Sequence, residues 1–530
     1  MKKKGFTLIE LLAVIVILAI IALIAVPVIL NIIDKANKSA FKDTAYGLIS
    51  AGELYFAEQQ LTLNGMDENK TFNLSEANTE GGLQIKGEVP IGKVSVTKEG
   101  KVAISVYNER YYAKKDYDDT EVEVYEVKYY STLSGAVSDV NDGKAGANSD
   151  ATKDNATAAV FKDNEGNVSV ILLKDTTETS KITLSADMMV NLNGYALTFE
   201  NSFLGFDGAK DQNNTITIDG RVSGSTMVLN GIDGGGRLIQ TRTNKFIING
   251  GNYIIQETLF NEEYGAVTIN VSKGGQAIIS DSIIIASAVG NSYGINAREL
   301  TTTTISNSVI EASSTENKAH GITNLGTAYI SNSDIKGYAN YTYGEDEHYG
   351  SLSQGILNGV GGTLTINNSY VMGTHSGIQN NGTLYIDGGT YESVGHGGIY
   401  FSGIGTTSYV SNATLRECDM PEGYIQTSNS NKAGFYIGGS SESNDIKVYM
   451  DNCDVYGSWQ PIVLTGSQNE KNNILYISNS KITTYNKIRI DNDTHKLYIG
   501  AGNNFKADNT NRPSAVVSTT DIYTRENFEN

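Results

Sequence analysis

From Leu11 to Leu30 every side chain is apolar, and a helix over that stretch is about 30 Å long, the thickness of a bilayer hydrocarbon core. The stretch predicts a single membrane span, with Pro27 inside it at a position able to kink the helix. Beyond it the pattern turns amphipathic. Phe41, Ala45, Leu48, Gly52, Tyr55 and Phe56 fall on one helical face, so one helix is expected from about residue 6 to 60. Its first half is apolar all round (transmembrane over 6–30), and its second half carries one buried stripe.

Residues 61–127 read as a small β-layer. Val94 and Val96 alternate before Lys98-Glu99-Gly100-Lys101, and Val102, Ile104 and Val106 alternate after it, which predicts a hairpin. Another alternating run follows at Val122, Val124 and Val127. At Ser131 the period changes: Leu133, Ala136, Val137 and Val140 have helical spacing and end at Asn141-Asp142-Gly143. Strand-like runs come next at 168–173, 182–184 and 190–198.

From there a repeat governs the chain. An apolar residue followed by a Ser/Asn/Asp/Gly cluster recurs at Ile248, Ile279, Ile305, Ile330, Ile366, Ile386, Val410, Met450 and Ile477. The intervals of 31, 26, 25, 36, 20, 24, 40 and 27 residues lie in the range of solenoids. A solenoid must turn a corner in each coil, and these residues tolerate left-handed backbone or bond their own backbone. Stacked corners would also let Asn side chains form a ladder. A second motif, Gly-Ile, keeps step at Gly294-Ile295, Gly321-Ile322, Gly355-Ile356, Gly377-Ile378 and Gly398-Ile399. Ten or eleven coils of about 4.8 Å each are expected. A short helix followed by strands ending in Leu192-Asn193-Gly194-Tyr195 resembles the capped start of pectate-lyase-like right-handed parallel β-helices. The fold expected over 128–530 is therefore such a β-helix, capped by a helix near 131–141.

Two details set the N-terminal stretch apart from a plain anchor. Lys2, Lys3 and Lys4 stop at Gly5, and a lone carboxylate, Glu10, sits inside the apolar run, where an ionised group is costly without a partner. A secretory signal would need a small-residue cleavage site after the apolar run, but Asn31-Ile32-Ile33-Asp34-Lys35 follows. The sequence Lys-Lys-Lys-Gly-Phe-Thr-Leu-Ile-Glu closely resembles the processing and methylation signal of type IV prepilins and pseudopilins. The resemblance implies a leader over residues 1–5, cleavage between Gly5 and Phe6 by a prepilin peptidase, and N-methylation of Phe6. It also implies assembly with other pilin subunits, the Glu10 carboxylate pairing with a neighbour's Phe6 amino group. A helix over 6–60 with a small antiparallel sheet over 61–127 matches the pilin arrangement. The chain would lie in the cell membrane with its N-terminus cytoplasmic before processing, and then at the extracellular surface or in a pilus.

Composition narrows the partners. A net charge of −19 repels nucleic acid and anionic lipid surfaces, so no nucleic acid is expected on the solenoid. Fifty-six glycines against five prolines, with 31 tyrosines, fit a turn-rich β-protein. Cys418 and Cys453 are no disulfide framework. They fall out of register, so two free thiols are expected.

Candidate chemistry is sparse. Gly395-His396-Gly397 resembles a fragment of β-helix polygalacturonase active sites, yet His375 and His396 each precede a register isoleucine by three residues. They would therefore stack in adjacent coils, a structural arrangement. The 36-residue interval carries Tyr338, Tyr341, Tyr343, Glu345, Asp346, Glu347, His348 and Tyr349, where tyrosines beside carboxylates could hold a polysaccharide or, with calcium, an acidic glycan. The alternative is a solvated loop whose tyrosines pack on the solenoid. No metal or other cofactor is expected. The leading expectation is a pilin-like filament subunit, minor or at the tip, displaying a β-helix for adhesion to a polysaccharide or host surface, and not an enzyme. A membrane-tethered polysaccharide lyase or hydrolase and a pseudopilin of a secretion or DNA-uptake system stand as alternatives.

Overall fold

The computed structural model describes residues 8–61, 65–79, 81–87, 89–230, 236–256, 265–339, 353–402, 405–419, 433–438, 445–457, 460–465, 472–484, 488–490, 495–507 and 522–524. The chain divides into two compact units. Met1–Tyr129, Ser149–Ala156 and Val160–Gly166 form the first, and Tyr130–Asn148, Thr157–Ala159 and Asn167–Asn530 form the second.

The first unit is built on α1 (Leu8–Gln60), which continues through Pro27. Its apolar first half is exposed from Leu8 to Ile33, apart from half-buried Ala25. The second half behaves as the stripe predicts: Phe41, Ala45, Leu48 and Gly52 are buried, while Tyr55 and Phe56 pack partly buried against the same core. The core is completed by an antiparallel sheet of β1 (Lys70–Asn73), β2 (Ile91–Val96), β3 (Val102–Tyr107), β4 (Tyr111–Lys115) and β5 (Glu123–Tyr130), paired in that order. The expected hairpin is β2–β3, with Val94 opposite Ile104 and Val96 opposite Val102. Gly52 is needed at the helix–sheet contact, where a Cβ would come within 2.9 Å of a Val102 methyl.

The second unit opens with α2 (Leu133–Asn141), capped by Thr132, whose hydroxyl accepts the Gly135 N–H at 3.1 Å. Leu133, Ala136, Val137 and Val140 are buried. The Asn141 amide donates to the Thr183 carbonyl at 2.8 Å and accepts the Ser185 N–H at 2.9 Å, which fixes the helix to the first coil. Three parallel sheets follow. Each regular coil gives one strand to each, as in Gln276–Ser280, Ile283–Ala288 and Ser292–Ala297. The first sheet runs from Val168–Leu172 to Ile522–Thr524. Among the described residues the second has 13 strands and the third 12.

The repeat read from sequence is the register of the first sheet. Ile248, Ile279, Ile305, Ile330, Ile366, Ile386, Val410, Met450 and Ile477 are successive partners. All are buried, each contributing about 1.5–3 kcal/mol. The Gly-Ile motif is likewise the register of the third sheet, from Ile295 through Ile322, Ile356 and Ile378 to Ile399.

The solenoid has more coils than ten or eleven, because it begins before the repeat becomes regular. Val190 and Ile218 already pair into the same column as Ile248, although Leu192 stands two residues after Val190 where the later clusters have Asn, Asp or Gly.

Corner chemistry explains the cluster. Asp281, Asn307, Asn332, Asn368, Asn412, Asn452 and Asn479 all take φ between 45° and 55°, the left-handed region that Asn and Asp tolerate best after glycine. The Asn452 side-chain amide donates to the Asn412 Oδ1 at 2.7 Å. Beside them runs a serine ladder: Ser308, Ser333 and Ser369 hydroxyls accept the N–H of Ser282, Ser308 and Ser333, each at 3.2 Å. Cys453 takes the serine's place in its own coil, its N–H donating to the Ser480 hydroxyl at 3.0 Å and its thiol to the Asp451 carbonyl at 3.3 Å. A third ladder lies inside, where buried Asn324, Asn358 and Asn380 pass amide hydrogen bonds of 2.8 and 2.6 Å from coil to coil.

Candidate functional site

The N-terminal helix is the first candidate. Gly5 and Phe6 lie outside the described residues, and Glu10 sits in the first turn of α1, where the helix dipole favours a carboxylate. The helix is long and apolar enough to cross a membrane, and its most apolar stretch is wholly unburied. Just past that stretch Asp34 ties the helix to the sheet of the same unit. Its carboxylate accepts from the Tyr111 hydroxyl at 2.5 Å and pairs with Arg110 at 2.9 Å. Burial, followed by the hydrogen bond to Asp34, pushes the Tyr111 phenol up to about 12.

The second candidate is where the chain enters the third sheet in two successive coils. Short turns ahead of Ser376–Asn380 and Gly397–Phe401 carry His375 and His396. The expected stack is present: the rings lie 4.4 Å apart at 22°, and the His396 N–H donates to the His375 carbonyl at 2.7 Å. Tyr400 meets the His375 ring at 5.6 Å, and Tyr436 meets the His396 ring at 5.8 Å. Both Nδ1 atoms are buried without a hydrogen-bond partner. Burial holds both imidazoles below their ordinary range, His375 furthest, with His396 adding to the effect on it. The pair is thus kept neutral. Because the unfolded chain takes up protons near 6.5 and the folded pair resists them, stability is complete above that pH. It falls on acidification below that pH, by at most about 1.4 kcal/mol per pH unit for each histidine that stays neutral in the fold. Denaturant midpoints between pH 7 and 5 should drop for the native chain and flatten in the His375→Phe, His396→Phe variant. Equal slopes would show that the pair is not the source.

Of the tyrosine- and acid-rich segment, Tyr338 alone lies among the described residues. Its hydroxyl bonds the Glu311 carboxylate in the preceding coil, so this ring is held on the solenoid. Tyr341, Tyr343, Glu345, Asp346, Glu347, His348 and Tyr349 lie outside the described residues. Cys418 and Cys453 are both free thiols, and burial pushes the Cys453 thiol up to about 11, which keeps it protonated at neutral pH. Among the described residues no group of three or more His, Cys, Asp or Glu side chains is placed to hold a metal ion.

Two features escaped the sequence reading. On the second sheet, buried Glu392 accepts from the Tyr370 hydroxyl at 2.6 Å and pairs with Arg416 from the next coil. Nothing in the local sequence joins these three, which are about one coil apart. On the first sheet, Tyr385, Tyr409, Tyr449, Tyr476 and Tyr498 form an outward stack. That one was findable. Each tyrosine immediately precedes the apolar residue of the repeat, so aligning the coils would have exposed the column.

Comparison with known proteins locates the resemblance at one end. No curated protein and no solved structure matches the chain. Residues 1–26 match the model of the prokaryotic N-terminal methylation motif, so the exposed apolar helix with Glu10 in its first turn belongs to a segment of type IV prepilin-like character, followed by a parallel solenoid.

Proposed function

We propose that this chain is the precursor of a type IV pilin-like filament subunit that displays a parallel β-helix at the cell surface for adhesion. The observation that carries the proposal is the union of the methylation motif over residues 1–26 with a helix whose first half is apolar and unburied. A prepilin peptidase cleaves between Gly5 and Phe6 and methylates Phe6. The released helix inserts among other pilin helices, and Glu10 meets the new amino group of a neighbour, each ion offsetting the other's desolvation. Residues 6–60 act as the assembly helix, 61–127 as the small pilin-like layer, and 128–530 as the displayed domain. A solenoid of twelve or more coils on every subunit would crowd a filament, which favours a minor or tip subunit. The ligand class that fits the run of tyrosines beside carboxylates in the sequence over 338–349 is a polysaccharide or host glycan.

The experiment has two parts. Mass spectrometry of the mature protein should find N-methyl-phenylalanine as its first residue, and immunogold against the solenoid should label filament tips or sparse sites along filaments. An intact Met1 terminus, or label confined to bare membrane, would overturn the reading.

A further inference from the structure

The tyrosine stack on the first sheet has the geometry of an interface. Tyr385, Tyr409, Tyr449, Tyr476 and Tyr498 occupy one column of partners. Neighbouring rings are 5.7, 5.2, 4.5 and 4.7 Å apart and tilted by only 5° to 14°. Successive coils therefore barely rotate at this face. Tyr385, Tyr409 and Tyr449 remain 42%, 47% and 37% exposed, which is unusual for a contiguous aromatic row. Rings stacked on one another turn their faces inward along the row and offer edges and hydroxyls outward. That is poor for laying a sugar ring flat but suited to interleaving with a second ridged row.

The flanks differ in charge. In the strand Ile446–Asp451 the outward residues are Lys447, Tyr449 and Asp451. The lysine side continues with Thr407 and Thr383, and the other side with Ser411 and Asp387. Asp451 keeps its place by accepting from Ser478 and Asn479, both at 2.7 Å.

We propose that this face pairs with the same face of a second copy of the chain, about a two-fold axis parallel to the coil stack. That rotation lays row on row with coils in the same order and exchanges the flanks. Lys447 of each copy then faces Asp451 of the other. An axis across the stack would instead set lysine side against lysine side, so the charges select the parallel pair. The face is about 16 Å wide and 20 Å long, well under the ~800 Å² per partner of a stable dimer. The pair therefore forms where copies are concentrated, as on a surface or between filaments. The inference does not rest on the adhesion reading.

The test uses the full chain in cells, with Cys418→Ser and Cys453→Ser to remove other thiols. Under mild copper–phenanthroline oxidation, Tyr409→Cys should yield a covalent dimer at least five-fold above Thr414→Cys, which places the thiol on the second sheet of the same coil. Lys447→Asp should lower that yield, and Lys447→Asp combined with Asp451→Lys should restore it. Yield equal to the control, or raised by Lys447→Asp alone, would overturn the parallel pair. So would control-level cross-linking together with retention on immobilised polysaccharide that Tyr409→Ala and Tyr449→Ala abolish, since the row would then be a glycan face. Hydrogen-exchange protection of the coils carrying 447 and 451 checks that the charge variants keep the fold.

Discussion

Glu10→Ala is expected to leave the protein in the membrane, cleaved and methylated, but to remove it from sheared filaments by about 100-fold or more. The apolar run from Leu11 to Leu30 supplies insertion on its own, so loss of one carboxylate cannot release the helix from the bilayer. Assembly is different. A carboxylate and an ammonium brought together among apolar helices each offset the other's desolvation, and removing one partner leaves the other buried and unpaired at about 3–5 kcal/mol. Glu10→Gln separates charge from shape: it keeps the size and loses the ion, and should fail nearly as badly as alanine. The measurement is the ratio of filament to membrane protein by immunoblot, with N-terminal sequencing to show that processing is intact. Normal incorporation of either variant would refute the pairing role.

A large stability effect is expected at Gly377. A Cβ there would come within 2.5 Å of the Gly398 carbonyl oxygen and 2.8 Å of the Glu392 carbonyl oxygen. Both are backbone atoms of the next coil and cannot move without shifting the ladder. Gly377→Ala should cost about 3 kcal/mol. Because each coil contacts only its neighbours, the damage should appear as lost hydrogen-exchange protection centred on coils 354–401, with distant coils spared. Gly47→Ala is the matched control. Gly47 lies in α1, exposed, with nothing within 4 Å of the new methyl, and should stabilise the helix by up to ~1 kcal/mol. Equal behaviour of the two variants would mean that the close approach at Gly377 does not limit the fold.

These two substitutions also mark how legible the protein is. Glu10 stands out in sequence because a charge in an apolar run is expensive wherever the helix is placed. Gly377 could be aligned with Gly321, Gly355 and Gly398, but the reason for the column needed the structure. The glycines face the carbonyls of the neighbouring coil, and only coordinates show that distance. Likewise the spacing of His375 and His396 gave their stacking, whereas their orphaned Nδ1 atoms depend on what surrounds them.

What the sequence determined by itself are the features set by local chemistry and by period. The span follows from hydropathy, the methylation motif from Gly5, Phe6 and Glu10, and the hairpin from alternation about Gly100. The coil register follows from a column of isoleucines each followed by residues that tolerate left-handed backbone. Tertiary structure alone decided what depends on neighbours from other coils. It placed Glu392 between Tyr370 and Arg416, put Cys453 into a serine ladder, and laid Lys447, Tyr449 and Asp451 side by side on an exposed face. In a parallel solenoid residues 20 to 40 positions apart become nearest neighbours about 4.8 Å away, so period fixes which residues can meet. Loop length and packing then fix what the meeting does.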